Sequence, residues 1–469
     1  MALDLSALRR IIADENRLLT GADIPAEYQS DVLGRVHGSA EALAFPLSTE
    51  EVSALLRYAH EHRVPVTPRG AGTNLVGSTV PLEGGIILDL SRMDRVLELD
   101  EDTMTVTVEP GMLLQDLQAY VEARGLFYPP DPGEKASSIG GNISTNAGGM
   151  RAVKYGVTRD YVRGLEVVLA DGTVMQVGGK QVKDASGLSL KHLLIGSEGT
   201  LAVITKCLLR LVPKPEASLS VLVPYADLKT GIQSVLTILR ANANPTAVEF
   251  MERKVVALGE RFCGVSYPRP DAGSYILLTF DGRSEEVTAN AARVRSLALQ
   301  NGALDFIELS DARQQCADIW RVRGALVKAV EAVSEQEPVD IVVPISRTAD
   351  FIRFINDLEA RSGMQMVSFG HAGDGNVHLC IVRGERDEET WQRELHENMD
   401  RAYAEAYRLG GVASGEHGIG LSKRPYFLRQ TAKENLQAMN AIKTALDPQH
   451  ILNNGKSYLT GGNNNAGTF

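Results

Sequence analysis

Apolar positions follow two different rhythms along this chain. Between about Ser48 and Pro215 they come as short β-rich runs punctuated by glycine: Val64–Thr67, Gly85–Leu90, Thr105–Glu109, Leu165–Ala170 and Leu201–Thr205 predict strands. Two helical stretches lie among them. Ser48–Glu61 opens with a Ser48/Glu51 capping-box pattern, and Met112–Arg124 stops at Gly125. Past Val212–Pro215 the elements lengthen. Ser218–Val223, Thr246–Met251, Ser274–Phe280 and Phe306–Leu309 predict strands, with helices over Ala226–Ala241 and Glu285–Gln300. Strands at Asp340–Val343, Gln365–Gly370 and Val377–Val382 follow, flanked by longer helices. This alternation predicts one antiparallel, ferredoxin-like sheet covered by helices. After Gly410–Gly411 the glycine-rich rhythm returns, and a last helix is expected near Ala432–Leu446. The chain therefore reads as α+β, with domains at 1–214 and 215–410. A segment at 411–457 returns to the first domain, and a Gly/Asn-rich tail at 458–469 is expected to be disordered.

Composition narrows the class. With 48 basic against 59 acidic side chains, a net charge of −11 argues against nucleic acid as the main partner. A few local arginines would still serve an anionic substrate. Cys207, Cys263, Cys316 and Cys380 are widely spaced, which excludes the usual four-thiolate iron–sulfur pattern and predicts free thiols in a reducing cytoplasm. No run approaches the ~18 apolar residues needed to span a bilayer, and residues 1–15 lack a signal-peptide core. No integral membrane segment is expected, and the location is read as cytoplasmic.

Three glycine-rich segments carry the first chemical signal. Pro68-Arg69-Gly70-Ala71-Gly72-Thr73-Asn74 directly follows a predicted strand. It is neither a Walker A loop nor a Rossmann fingerprint; by itself it is a turn or a phosphate cradle. The second runs from Pro129-Pro130-Asp131-Pro132-Gly133 through Ser137-Ser138-Ile139-Gly140-Gly141-Asn142-Ile143-Ser144-Thr145-Asn146-Ala147-Gly148-Gly149. A loop so rich in Gly, Ser, Thr and Asn cannot build a core, but it can wrap a large polar planar ligand. The third, His192–Leu201 with Gly196, Glu198 and Gly199, reads as strand, glycine turn and strand.

In this order and spacing, the three segments resemble the FAD-binding domain of the vanillyl-alcohol-oxidase/PCMH flavoprotein superfamily. The resemblance implies a PCMH-type domain of two α/β subdomains, followed by a cap domain. It places the FAD pyrophosphate on Arg69–Asn74, and the isoalloxazine and diphosphate along Pro130–Gly149. The adenosine half would face Ile195–Val203 and Ile204, with Asn453 completing the cofactor set. Neither of the first two loops holds a His or Cys, so FAD is expected to be non-covalent.

The second signal is Gly370-His371-Ala372-Gly373-Asp374-Gly375-Asn376-Val377-His378. Its glycines make a continuous helix a poor reading. A strand, a tight turn and a returning strand would place both imidazoles at one end of a hairpin, where a structural pair and a metal pair remain alternatives. Ser414-Gly415-Glu416-His417-Gly418-Ile419-Gly420 weighs toward metal, since a Glu-His pair among three glycines has no packing rationale. Glu416 can complete a His/His/Glu set for zinc, manganese or iron, leaving His417 as a base. These residues resemble the FAD-linked oxidase branch that includes D-lactate dehydrogenases, glycolate oxidase catalytic subunits and D-2-hydroxyglutarate dehydrogenases. The resemblance spans about residues 30–457 and implies His371, His378 and Glu416 as metal ligands with His417 as catalytic base. It also places Arg323, from Trp320-Arg321-Val322-Arg323, over the substrate carboxylate. The closing Asn453-Asn454-Gly455-Lys456 departs from the family's Asn-Pro-Gly-Lys at Asn454.

These residues suit the oxidation of a 2-hydroxy acid. A bound cation acidifies the hydroxyl, His417 takes its proton near neutral pH, and the Cα hydrogen leaves as hydride to flavin N5. Where the hydroxyglutarate branch carries polar groups for a second carboxylate, this chain has Val327, Pro338 and Cys380, which favours D-lactate or glycolate. Gly370–Val382 and Gly410–Tyr426 resemble lactate dehydrogenase subunits that work with an electron-transferring flavoprotein. A quinone acceptor, D-2-hydroxyglutarate as substrate, and a non-catalytic flavin-binding subunit are the competing readings.

Overall fold

A computed structural model describes residues 3–309 and 314–459. The chain divides into two compact units, the first formed by 1–147, 157–214 and 416–467, the second essentially by 148–156 and 215–415. The second unit thus takes in a short piece, 148–156, that lies within the expected first domain. Lys154 Nζ and the Tyr155 hydroxyl hold it there by donating to Asp281 Oδ1 at 2.5 and 2.9 Å. The return to the first unit comes at Glu416 rather than Gly411.

The first unit contains two main sheets. Leu18–Thr20, Ala42–Ala44, Ile86–Asp89 and Val66–Arg69 are neighbours in that order, with the last three parallel. Val96–Asp100, Thr105–Val108, Val203–Arg210, Val162–Val168 and Val174–Gly178 form a five-stranded antiparallel sheet. The helix Thr49–His62 begins at the expected Ser48 cap, whose Oγ accepts from Glu51 N at 3.3 Å, while the Glu51 carboxylate accepts from Leu47 N rather than closing a capping box. The terminal helix Lys433–Leu446 is tied in by a fully buried lysine. Lys443 Nζ donates to the Thr200 and Leu452 carbonyls at 2.8 and 2.7 Å and to Asp447 at 2.5 Å.

Three expectations fail here. The Ser/Gly-rich stretch is not continuous loop: Ile139–Thr145 is helical, opened by Ser138 and closed by Asn146 at φ +53°. Glycine disfavours helix, yet Gly140 is required because an added Cβ would sit 2.6 Å from Pro110. Leu190–Leu194 is also helical, so the third segment enters its glycine turn from a helix. In the expected tail, Tyr458 and Leu459 are packed, with the Tyr458 hydroxyl 2.9 Å from Thr200 Oγ1; positions 460–469 lie outside the described residues.

The second unit is built on seven antiparallel strands. In chain order they are β1 (Ala217–Tyr225), β2 (Ala247–Glu252), β3 (Ser274–Gly282), β4 (Ile307–Leu309), β5 (Gln336–Val342), β6 (Met366–His371) and β7 (Asn376–Val382). Their spatial order is β4-β1-β3-β2-β6-β7-β5. Helices cover both faces. Leu277 joins a core with the helices Arg253–Cys263, Gln314–Gly324 and Leu326–Glu331, while Ile276, on the opposite face, lies against Gly231 of the helix Leu228–Arg240.

Candidate active site

In the first unit, the strand Val66–Arg69 delivers the chain to Gly70, where a Cβ would lie 2.1 Å from Ser138 Oγ. That hydroxyl accepts from both Ala71 N (3.2 Å) and Gly141 N (3.3 Å), so the first two glycine segments share one side-chain pin. Asn74 braces its own loop through Ser78 N and Thr79 Oγ1, both at 2.9 Å. Pro130 accepts from Gln118 at 3.1 Å, and buried Asp131 pairs with Lys135. The third segment is laid against the short helix: Gly196 N and Glu198 N donate to the Ile143 and Ser144 carbonyls at 3.0 and 2.8 Å. Gly199 abuts Pro68, while Val203 and Ile204 are buried in the following strand. The three segments named from sequence are thereby brought together, except that Gly148 and Gly149 lie in the 148–156 piece of the second unit.

Glu198 and Asn453 hold protein groups rather than standing bare in the cradle. Glu198, at φ +52°, accepts from Ile419 N and Ser457 Oγ through Oε1 (2.9 and 3.1 Å), and from Gly420 N and Ser78 Oγ through Oε2 (2.8 and 2.9 Å). It thus anchors the backbone just after Glu416-His417-Gly418. Asn453 donates to the Ser78 and Glu198 carbonyls at 3.0 and 2.8 Å and accepts from Lys456 Nζ at 2.6 Å. Lys456 is 1% exposed, and its burial lowers the ammonium pKa to about 7. Sequence reading placed Glu198 and Asn453 among cofactor residues and found no role for Lys456; the structure gives all three a bracing role.

In the second unit the predicted hairpin is present. β6 ends at His371, the turn passes through Gly373 and Gly375, and β7 begins at Asn376. Gly375, at φ +83°, leaves no room for a Cβ, which would lie 2.0 Å from the Val343 carbonyl. Cross-strand register aligns Glu249 of β2 with His371 and then Asn376; one row on, Met251, Phe369, His378 and Asp340 align. These side chains share one sheet face. His371 and His378 bring their Nε2 atoms to 3.3 Å with rings nearly perpendicular, and Asp340 offers an oxygen within 4.8 Å of a His378 nitrogen.

Two buried carboxylates organise this face, and the sequence reading assigned neither. Glu249 Oε1 accepts from His371 Nδ1 at 2.6 Å, while Oε2 accepts from Arg323 Nε (2.8 Å) and Nη2 (2.5 Å). Burial would raise its pKa, but His371 and Arg323 outweigh that and hold it down at about 2. Asp340 accepts from Asn376 Nδ2 (2.6 Å), Ser414 Oγ (2.8 Å) and Gly415 N (3.0 Å). It therefore fixes the chain immediately before Glu416. Arg323, expected over a substrate carboxylate, has one side of its guanidinium engaged by Glu249, with Nη1 the nitrogen outside that pairing. The available signal was an acid set between apolar neighbours within each strand: Ala247-Val248-Glu249-Phe250-Met251 and Pro338-Val339-Asp340-Ile341-Val342.

Val327, Pro338 and Cys380, compared above with the hydroxyglutarate branch, lie among apolar neighbours. Pro338 and Cys380 are cross-strand partners; Cys380 belongs to the core cluster beneath the sheet, and partly buried Val327 packs against that cluster. Burial raises the Cys380 thiol pKa to about 12, which makes it a packing group rather than a thiolate. None of the four cysteines is in a disulfide, and Cys263 alone is incompletely buried.

The second unit thus holds a carboxylate-backed histidine pair, and the first holds three interlocked glycine segments. Residues 214–457 match the family of FAD linked oxidases, C-terminal domain, and residues 40–178 match the FAD binding domain. A D-lactate dehydrogenase of Anaerostipes hadrus is 41% identical over 94% of both chains. The glycolate oxidase subunit GlcD of Bacillus subtilis is 38% identical over 95% of this chain and 93% of its own. In fold, p-cresol methylhydroxylase superposes with a TM-score of 0.79 at 17% identity, covering 97% of this chain and 96% of that one. The chain belongs to the FAD-linked oxidase family and is an FAD-dependent oxidoreductase with a PCMH-type FAD-binding domain. Among the described residues no helix is long and apolar enough to cross a membrane.

Proposed function

We propose that this protein oxidises a small 2-hydroxy acid, D-lactate first and glycolate next, to its 2-oxo acid. The observation that carries the reading is the meeting of His371 Nε2 and His378 Nε2 at 3.3 Å, with His371 held from behind by Glu249. An ionised carboxylate only accepts hydrogen bonds, so Nδ1 of His371 carries the proton, and in the neutral ring Nε2 keeps its lone pair. Two such nitrogens suit zinc, manganese or iron, and Glu416, two residues after Ser414, is the proposed third ligand. When bound, the cation supplies Lewis acidity to the substrate oxygens and FAD supplies a hydride acceptor at N5. His417 receives the hydroxyl proton, and Arg323 offers Nη1 to the substrate carboxylate. Loss of that proton and the Cα hydride leaves the carbonyl of the 2-oxo acid.

The names of the two relatives support the substrate class. Apolar Val327, Pro338 and Cys380 support a small acid, since a second carboxylate buried against them would lack a partner. A cytoplasmic location and onward transfer to the subunits of an electron-transferring flavoprotein complete the proposal, the latter resting on the likeness of Gly370–Val382 and Gly410–Tyr426 to subunits of that kind. A non-catalytic flavin subunit would have no reason to keep His371, His378, Glu416 and His417 together. The test is anaerobic flavin bleaching with D-lactate, L-lactate, glycolate and D-2-hydroxyglutarate, before and after complete metal removal. Bleaching by D-lactate that disappears with the metal and returns on its addition is expected; bleaching indifferent to metal removal overturns the metal-assisted reading. Reoxidation by an electron-transferring flavoprotein rather than a quinone analogue tests the acceptor.

A further inference from the structure

We propose that Glu249 is a positioning residue that sets two groups of the site at once, the tautomer of His371 and the orientation of Arg323. The inference deepens the proposed metal and substrate roles of those two residues and rests on that reading.

Glu249 lies at the centre of the sheet on β2, fully buried, beside Leu277 of β3 and His371 of β6. A carboxylate there is a liability for packing alone. A buried ion pair can often be replaced by apolar side chains of similar volume with no loss of stability. What distinguishes Glu249 is how its two oxygens divide their work. Oε1 takes His371 Nδ1 and Oε2 takes two nitrogens of Arg323, so neither oxygen is shared between the two partners. Each partner has a second working end. His371 turns Nε2 toward His378, and Arg323, lying over the Phe369 ring at 5.3 Å, retains Nη1. One rigid strand residue therefore aims both a ligand nitrogen and an anion-binding edge. An outer carboxylate of this kind fixes ring orientation and tautomer and strengthens a histidine ligand, and its removal commonly weakens metal binding 10–100-fold.

The isosteric amide makes the idea sharp. Glu249→Gln keeps volume but offers one acceptor and one NH2 group. Arg323 can use only the acceptor, so the NH2 faces His371 Nδ1, makes that nitrogen the acceptor and shifts the ring proton to Nε2. Metal binding must then first displace that proton. Zn2+ affinity is measured on metal-stripped, FAD-loaded protein by competition with a chromophoric chelator, with FAD content and melting temperature recorded alongside. The expected result is a 10–100-fold weaker Zn2+ Kd for Glu249→Gln with FAD retained, together with a raised KM for whichever acid bleaches the wild type. Wild-type Zn2+ affinity in a folded Glu249→Gln protein overturns the inference. If that variant loses FAD, the same titration on Glu249→Asp decides. It keeps the charge but draws the oxygens back by a methylene, and unchanged affinity there also overturns it. Absence of Zn2+ binding by the wild type itself would instead overturn the metal reading, so the two failures are distinguishable.

Discussion

In the first unit, polar side chains next to the glycine segments are engaged by the protein itself, whereas in the second they converge on one another across a sheet. Ser138, Glu198, Asn453 and Lys456 bond mainly to backbone amides and carbonyls, so they fix the loops they touch. Glu249, His371, His378 and Asp340 instead form two adjacent rows of ionisable groups set by strand register. The difference suits the tasks proposed for the two regions. A cofactor held along its length needs close backbone approach and small residues. Proton and charge chemistry needs a few groups at fixed spacing on rigid elements, and antiparallel strands provide it.

This contrast can be broken by mutation, and the largest effect should fall where chemistry depends on one side chain. For His417→Ala the rate of anaerobic flavin reduction is expected to fall about 10²–10⁴-fold with FAD content unchanged, the usual contribution of a general base. Stopped-flow absorbance of the flavin measures it, and a loss under tenfold would remove His417 from the proton-transfer role. In the cradle, the effect should appear as stability. Glu198→Ala strips the acceptor from Ile419 N, Gly420 N, Ser78 and Ser457. At about 1–3 kcal/mol for each buried group left unsatisfied, a loss of roughly 3 kcal/mol or more is expected by denaturant titration. A value below 1 kcal/mol would mean that the 418–420 backbone does not depend on this brace.

The smallest effect concerns Lys456, whose folded pKa of about 7 lies below the ordinary lysine value of 10.5 because the group is buried. Between those values the unfolded chain binds a proton that the folded one has released, so stability rises with pH across that window. The contribution is present in full above 10.5 and lost as pH falls through about 7. One proton is worth at most about 1.4 kcal/mol per pH unit. Between pH 7 and 9 the wild-type melting temperature should therefore gain a few degrees relative to Lys456→Met. Parallel curves for the two proteins would show that the ammonium stays charged in the fold.

Much of the site was legible because its residues are close in sequence. The seven-residue interval between His371 and His378, with Gly373 and Gly375 between them, is enough to imply a tight hairpin, and that hairpin is present. The short helix at Ile139–Thr145 was not legible, since its composition argues for loop; a Ser138 cap and the close approach of Gly140 to Pro110 prevail over propensity. The partners of Glu198 were not legible either, because Ile419 and Ser457 lie more than two hundred residues further along.

The sequence by itself determined the flavin-binding style of the first unit, the strand-and-helix character of the second, and the histidine hairpin. Each follows from local periodicity, local turn chemistry or short motifs. Tertiary structure alone decided that Glu249 stands behind His371 and Arg323, and that Asp340 holds the chain at Gly415. Glu249 and His371 are 122 residues apart, and only the pairing of β2 with β6 makes them neighbours. Strand order is chosen by the packing of the whole sheet between its helices, so no short stretch of sequence carries it.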